Sequence, residues 1–169
     1  MSGFSRENAL FFDIAHEGAQ LRAVGQATHL LEGLRGLQPR SVVVLATDQV
    51  AAAAARAVAT FAAPLEVPVV VVDVLPAYVG ALDVVVVVGD NAGRETDLRG
   101  LITAVDRGAE TILAGPNQGP LLEDAPQATT VIPALPDTAG ASPLRTCAVV
   151  GAVLLALRQP AEVVAERFE

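Results

Sequence analysis

Four short apolar runs divide the chain, and none of them alternates with polar residues. Residues 41–47 read SVVVLAT, 68–73 PVVVVD, 82–88 LDVVVVV and 110–114 ETILA. Valine-rich runs of this length are strands buried on both faces, the pattern of a parallel sheet covered by helices. A shorter run at 129–132 predicts a fifth strand. From Ser5 onward, Leu10, Ile14, Leu21, Val24, Leu31 and Leu34 recur with helical spacing and predict one long helix, stopped by Gly36 and Pro39. Asp48 is placed to cap an alanine-rich helix running to about Ala62. Residues 94–107 form a helix ended by Gly108, and 119–124 a short helical turn. Residues 133–143 are rich in Pro, Gly and small side chains and read as loop. Helices at 144–157 and 161–168, separated by Pro160, close the chain. The alternation predicts an α/β fold: a three-layer αβα sandwich around a five-stranded parallel sheet.

Composition sharpens this picture. At 169 residues the chain suits one domain, 1–169, with a single core. Apolar residues make up 52% and aromatic residues 4%, so Val, Ala and Leu must fill that core. The net charge is −8 and all 11 basic residues are arginine, which argues against a nucleic-acid backbone as partner. Cys147 is the only cysteine and sits in an apolar helical pattern, where it packs as a small hydrophobe. With His16 and His29 as the only histidines, the usual Cys/His metal site is not expected, nor is a cofactor. No signal-peptide order opens the chain, and the apolar stretch 147–157 falls short of the ~20 residues a bilayer needs. The expectation is a cytoplasmic protein without a membrane partner. The final helix has no stop signal, as expected if the chain is the N-terminal half of a longer two-domain protein.

Chemistry in such a fold belongs to the loops beyond the carboxyl ends of the strands. Three qualify: Thr47-Asp48-Gln49, Gly89 to Glu95, and Gly115-Pro116-Asn117-Gln118. Gly89-Asp90-Asn91-Ala92-Gly93 has the make-up of an anion nest at a helix N-terminus, with Arg94 beside it. From spacing alone it reads first as a strand-to-helix turn in which glycine supplies positive φ and Asp or Asn caps. Asp48 reads as a cap before it reads as a catalyst. Asn117 and Gln118 can hold sugar hydroxyls or merely turn the chain. The dinucleotide fingerprint G-x-G-x-x-G is absent, and a lysine-free chain cannot supply a P-loop. Neither histidine has an evident serine or cysteine partner.

From Leu82 to Pro126 the order of elements resembles the sugar isomerase (SIS) domain. That family follows an apolar strand with S-x-S-G-x-T-x-E, a helix ending in A-x-x-x-G-A, a strand, and then S-P-L-A. This chain has GDNAGRETD, AVDRGAETILAG and GPLLEDA. Within the family it is similar to the N-terminal half of bacterial bifunctional phosphoglucose/phosphomannose isomerases and their two-domain relatives. Laying Gly93 on the motif glycine puts Asp90 and Ala92 at the serine positions, Glu95 at the threonine and Asp97 at the acid.

The resemblance implies a phosphosugar held at the strand ends. It also implies that the hydroxyls which would donate to phosphate are lost, with Asp90 and Glu95 crowding like charges into their place and Arg94 partly neutralising them. Backbone groups at Gly89 and Gly93 would remain available. In the isomerases the chain resembles, catalytic Glu and His come from a second domain or a partner subunit, so no catalytic residue is carried over. The expected function is a degenerate phosphosugar-binding domain of an isomerase-like protein, using Thr47, Asp48, Gly89, Asn91, Gly93, Arg94 and Asn117. The alternative is a structural or dimerisation module with a decayed site. Its partner would be a second copy or a second SIS domain, met through the apolar 147–157 helix and the 51–63 helix.

Overall fold

The computed structural model describes residues 2–135 and 142–168, with the side chains of residues 2–10, 12 and 13 left aside. Five strands, β1 (Ser41–Ala46), β2 (Val69–Val72), β3 (Asp83–Val88), β4 (Glu110–Ala114) and β5 (Thr130–Val131), form one sheet in the order β2-β1-β3-β4-β5. Every pairing is parallel. The helices are α1 (Ser2–Gln26), α2 (Gln49–Phe61), α3 (Glu95–Asp106), α4 (Pro120–Glu123), α5 (Pro143–Ala156) and α6 (Ala161–Ala165). The expected three-layer sandwich is what the chain forms. The loop expected at 133–143 lies largely outside the described residues.

Period-two geometry splits the valine runs between two cores. Val42, Val44, Ala46, Val84, Val86 and Val88 face one side, packed with residues of α1, α2, α5 and α6. Val43, Leu45, Val85 and Val87 face the other, against Leu101 and Ala104 of α3 and Leu121 of α4. Both central strands are buried at every position, which explains why neither alternates in sequence.

The long first helix is not continuous. The α-helix stops at Gln26, and Thr28–Leu34 is a 3-10 helix. Its buried residues, Thr28, Leu31 and Leu34, stand three apart, which matches three residues per turn and would drift around a 3.6-residue helix. Thr28 Oγ1 donates to Gly25 O and to Ala161 O, tying the break to α6. The last helix ends at Ala165 rather than 168, and β5 is only two residues long.

Most of the apolar face of α5 packs inside this chain. Ala148, Val149, Val150, Ala152, Val153 and Ala156 are all buried within this chain, packed with residues of α1 and α2. Ala51, Ala52 and Ala55 of α2 are spent the same way, whereas Ala53 is exposed. No described helix is long and apolar enough to cross a membrane.

Candidate functional site

The chain turns one way from β1 to β2 through α2, and the opposite way from β3 to β4 through α3 on the other face. β1 and β3 are therefore neighbours whose following loops diverge, and open α/β sheets bind ligands at that switch point. Register brings the two ends level, Ala46 opposite Val88, and Thr47 N donates to Val88 O at 2.8 Å. Thr47 is buried and Asp48 half-buried there.

Asp48 is the cap the sequence predicts: its Oδ1 accepts from Ala51 N at 2.8 Å in the first turn of α2. Its other oxygen does something the sequence does not announce. Oδ2 accepts from Asp90 N, also at 2.8 Å. Asn91 N donates to Thr47 Oγ1 at 3.2 Å, and Gly93 N to Asn91 Oδ1 at 3.0 Å. Three loop N–H groups that could cradle an anion therefore end on side-chain oxygens of this chain. The expectation that the Gly93 backbone stands open is corrected, because the Asn91 amide folds back onto it. Gly89 is glycine for a second reason besides its φ of 130°. A Cβ there would sit 2.6 Å from Asp48 Oδ2 and would collide with Thr47 Oγ1.

The acids do not crowd together. Asp90 turns its carboxylate to the start of α5, where Oδ2 accepts from Ser142 N at 2.8 Å. Glu95 is exposed and pairs with Arg99 one helical turn along. The crowding expected of these two carboxylates is not formed, since each turns to its own donor. Arg94 neutralises neither. Its Nη1 donates to Thr47 O at 3.2 Å, and its Nε lies 3.6 Å from Asp97 Oδ2.

Asp97 is fully buried, and neither of its oxygens has a hydrogen-bond partner among the described residues. Burial pushes its pKa up; Arg94 pulls it back, and Asp73 adds a further upward push. A carboxyl that holds its proton more tightly when folded stabilises the fold as pH falls from neutral, until the unfolded group is protonated too. Asp97→Asn should therefore raise stability at pH 7, because it removes the charge that burial disfavours. The gain should vanish below about pH 4. Urea melts of both proteins across pH check this, and an equal gain at pH 4 would exclude the charge as its cause.

Sequence reading missed Ser142 and Arg145. Ser142 caps α5, its Oγ accepting from Arg145 N at 3.3 Å. Arg145 is 3% exposed and ties two strand ends together, donating to Ala114 O and Ile132 O at 3.0 Å each. Burial lowers its pKa and Asp90 raises it. A capping serine before proline, then an arginine in the first turn of an otherwise apolar helix, was the available signal. Asn117 is exposed on the β4 loop, which meets the β3 loop where Gly119 approaches Ala92.

No protein-family model matches the chain, and no curated protein matches it in sequence. In structure it is similar to the sugar isomerase domain of the RpiR transcription factor from Sphaerobacter thermophilus. The TM-score is 0.62 at 18% identity, over 88% of this chain and 87% of that one. The chain has a SIS fold.

In this SIS fold the other reactive side chains have no hydrogen bond to the rim residues among the described contacts. His29 Nδ1 bonds Gln26 O at 2.9 Å, and His16 lies 3.2 Å from the Gln20 amide, so both are engaged locally. Cys147 donates to Ala54 O across the α5–α2 contact, and burial raises its thiol pKa. Among the described residues no His, Cys, Asp and Glu side chains gather as a metal set.

Proposed function

We propose that the chain is a non-catalytic SIS domain, a degenerate phosphosugar module that admits sugar phosphates weakly and converts none. The observation that carries this reading is the fate of the three loop N–H groups. A phosphate arriving at Asp90, Asn91 and Gly93 must first displace Asp48, Thr47 and Asn91 from them. Each displaced bond offsets part of what the phosphate gains, and the Asp48 carboxylate repels it besides. The exposed side-chain amides of Asn91 and Asn117 remain suited to a sugar. His16 and His29 are bonded locally, and the Asp48 and Asp90 carboxylates at the rim are each held by backbone N–H groups, an arrangement that does not favour moving a proton between adjacent sugar carbons. The structural neighbour supports the reading as well, being a transcription factor that carries a sugar isomerase domain. Completion of the site would fall to a second SIS domain, in the same protein or in a partner. The narrower resemblance to bifunctional phosphoglucose/phosphomannose isomerases is not needed for this proposal.

A thermal-shift titration with glucose, mannose and fructose 6-phosphates tests it. At 10 mM, a sugar phosphate with a Kd near ~1 mM adds about 1.4 kcal/mol. For a chain of this size that is a rise of about 3–5 °C. A shift three times larger, reporting a Kd near ~10 μM, would contradict the weak-site reading, as would measurable interconversion of glucose and fructose 6-phosphates. No shift with any of the three would assign the domain to pairing alone.

A further inference from the structure

The two edges of the sheet are finished differently. β5 is two residues long and runs into Pro133, so that edge offers little backbone to another strand. β2 is a run of valines without the usual guards. Residues 67–72 hold no charge, and no basic residue occurs from 57 to 93. Its ladder to β1 shows which backbone groups stay open. Val42 lies level with Val69, and Val42 N donates to Pro68 O at 2.9 Å. In a parallel ladder the bonds to one neighbour recur at every second residue. Val70 and Val72 therefore continue the bonding to β1, while Val69 and Val71 turn their N–H and C=O groups to the outer edge. Among the described residues no hydrogen bond reaches them there. Pro68, whose carbonyl faces β1, leaves this outer row of donors intact. The side chains are unfinished too. The run has the unbroken pattern of a strand buried on both faces, yet Val70 is 36% exposed and belongs to neither core. β1 and β3, built from the same residues, are buried at every position.

We infer that β2 pairs with β2 of a second copy of this chain, antiparallel across a two-fold axis, joining the two five-stranded sheets edge to edge. The open groups select both partner and register. An antiparallel pair exchanges both of its bonds between residues that face each other. Val69 and Val71 stand on either side of Val70, so Val69 of each copy meets Val71 of the other and every open group between them is used. The two Val70 residues then face each other in the closer antiparallel spacing, with Cα atoms about 4.5 Å apart. That covers the side chain which neither core buries. A second copy fits where a charged segment has nothing to hold it, because residues 67–72 carry no charge and Glu66 is already paired with Arg158. A patch complementary to itself closes as a dimer, leaving only the short β5 edges outside. The inference is independent of the phosphosugar reading. It places pairing on the sheet edge rather than on α5, whose apolar face packs mostly inside the chain.

Val71→Pro is the discriminating variant. It removes one outward N–H and no bond to β1, and an edge strand tolerates proline in that orientation. Sedimentation equilibrium of the wild type, with no sugar phosphate present, should show a monomer–dimer equilibrium with a Kd of about 10–100 μM, as suits a small interface. Val71→Pro should weaken it at least about tenfold. Amide hydrogen exchange read by NMR gives a signature that pairing through helices would not. Above the Kd, the Val69 and Val71 amides should be protected, and dilution should remove that protection while Val70 and Val72 keep theirs. A wild type still monomeric at about 0.5 mM would overturn the inference. So would a dimer equally strong in Val71→Pro, or a dimer whose Val69 and Val71 amides exchange freely. If circular dichroism finds Val71→Pro unfolded, Val70→Lys makes the same test. That side chain is already 36% exposed, and like charges would then face each other across the seam. Without sugar phosphate in the cell, none of these outcomes touches the weak-site reading.

Discussion

Gly89→Ala should lower stability by about 4 kcal/mol, the largest effect expected of any single methyl group in this chain. Two costs add. An L-residue at φ 130° is strained by about 1–3 kcal/mol, because Cβ has no room in that region of backbone space. Overpacking adds a further 1–3 kcal/mol or so, since the new Cβ lands 2.6 Å from Asp48 Oδ2, collides with Thr47 Oγ1 and sits 3.2 Å from Ala51 Cβ. Relief requires the β1 and β3 loops to part, which breaks the Asp48 and Thr47 bonds to the Asp90 and Asn91 amides. For a chain of this length the melting temperature should fall by about 8–16 °C. A fall under 2 °C in a calorimetric melt would mean that the loops separate freely and that the closed cradle is not a stable feature. Gly93→Ala makes the control: no left-handed φ is recorded there, and the nearest obstacle, Asn91 Oδ1, is 3.8 Å away.

At the opposite end of the sheet, Asp83→Ala should cost about 3 kcal/mol. The Asp83 side chain is fully buried and collects four donors: Arg40 Nε and Nη2, Ser41 Oγ at 2.8 Å and Gly80 N at 2.9 Å. Arg40 in turn donates to Tyr78 O and lies 5.5 Å from the centre of its ring. Removing the carboxylate orphans Ser41 and Gly80 inside the fold. The half-exposed Arg40 can turn to water, which keeps the loss at the low end for broken buried pairs. Burial works to raise the Asp83 pKa, but the hydrogen bonds from Arg40, Gly80 and Ser41 and the charge of Arg40 outweigh it and hold the carboxyl below its usual range. A carboxyl depressed on folding contributes stability that is fully present above the unfolded value and is lost as pH falls through the folded one. The wild type should therefore lose stability steeply below about pH 4, and Asp83→Asn should flatten that limb while costing stability at pH 7. Denaturant melts at pH 7 and pH 3 separate the two. Parallel loss in both proteins across that interval would remove Asp83 from the account of acid lability.

Asp83 also marks how far a linear reading reaches. In sequence it looks like the polar first residue of a valine run. Nothing within a few positions announces that Arg40, from the residue before β1, will close over it. Asp48 is the same case at the other end of the sheet. Its capping bond spans three residues and was legible; its bond to Asp90 N spans 42 and was not. The error over Asp90 and Glu95 has one origin. A motif alignment places side chains by position along the chain, while their direction depends on which donor is nearest in space. For Asp90 that donor is the Ser142 amide, 52 residues away. Leu31 and Leu34 misled for a more local reason. Spacings of three fit a 3-10 helix and an α-helix alike over two turns, and contact with α6 selected the tighter one.

The sequence alone determined the parallel five-stranded sheet, the flanking helices, the cap on α2 and the loops of interest. Each of these follows from burial on both faces or from hydrogen bonds within one turn, and both leave their mark within a few neighbouring residues. Only the tertiary structure decided that β1 and β3 lie side by side, and that the carboxylate after one fills the amide cradle after the other. Strand order and long-range donor–acceptor pairing are set by how the whole chain packs, and no local pattern of apolar and polar residues carries that information.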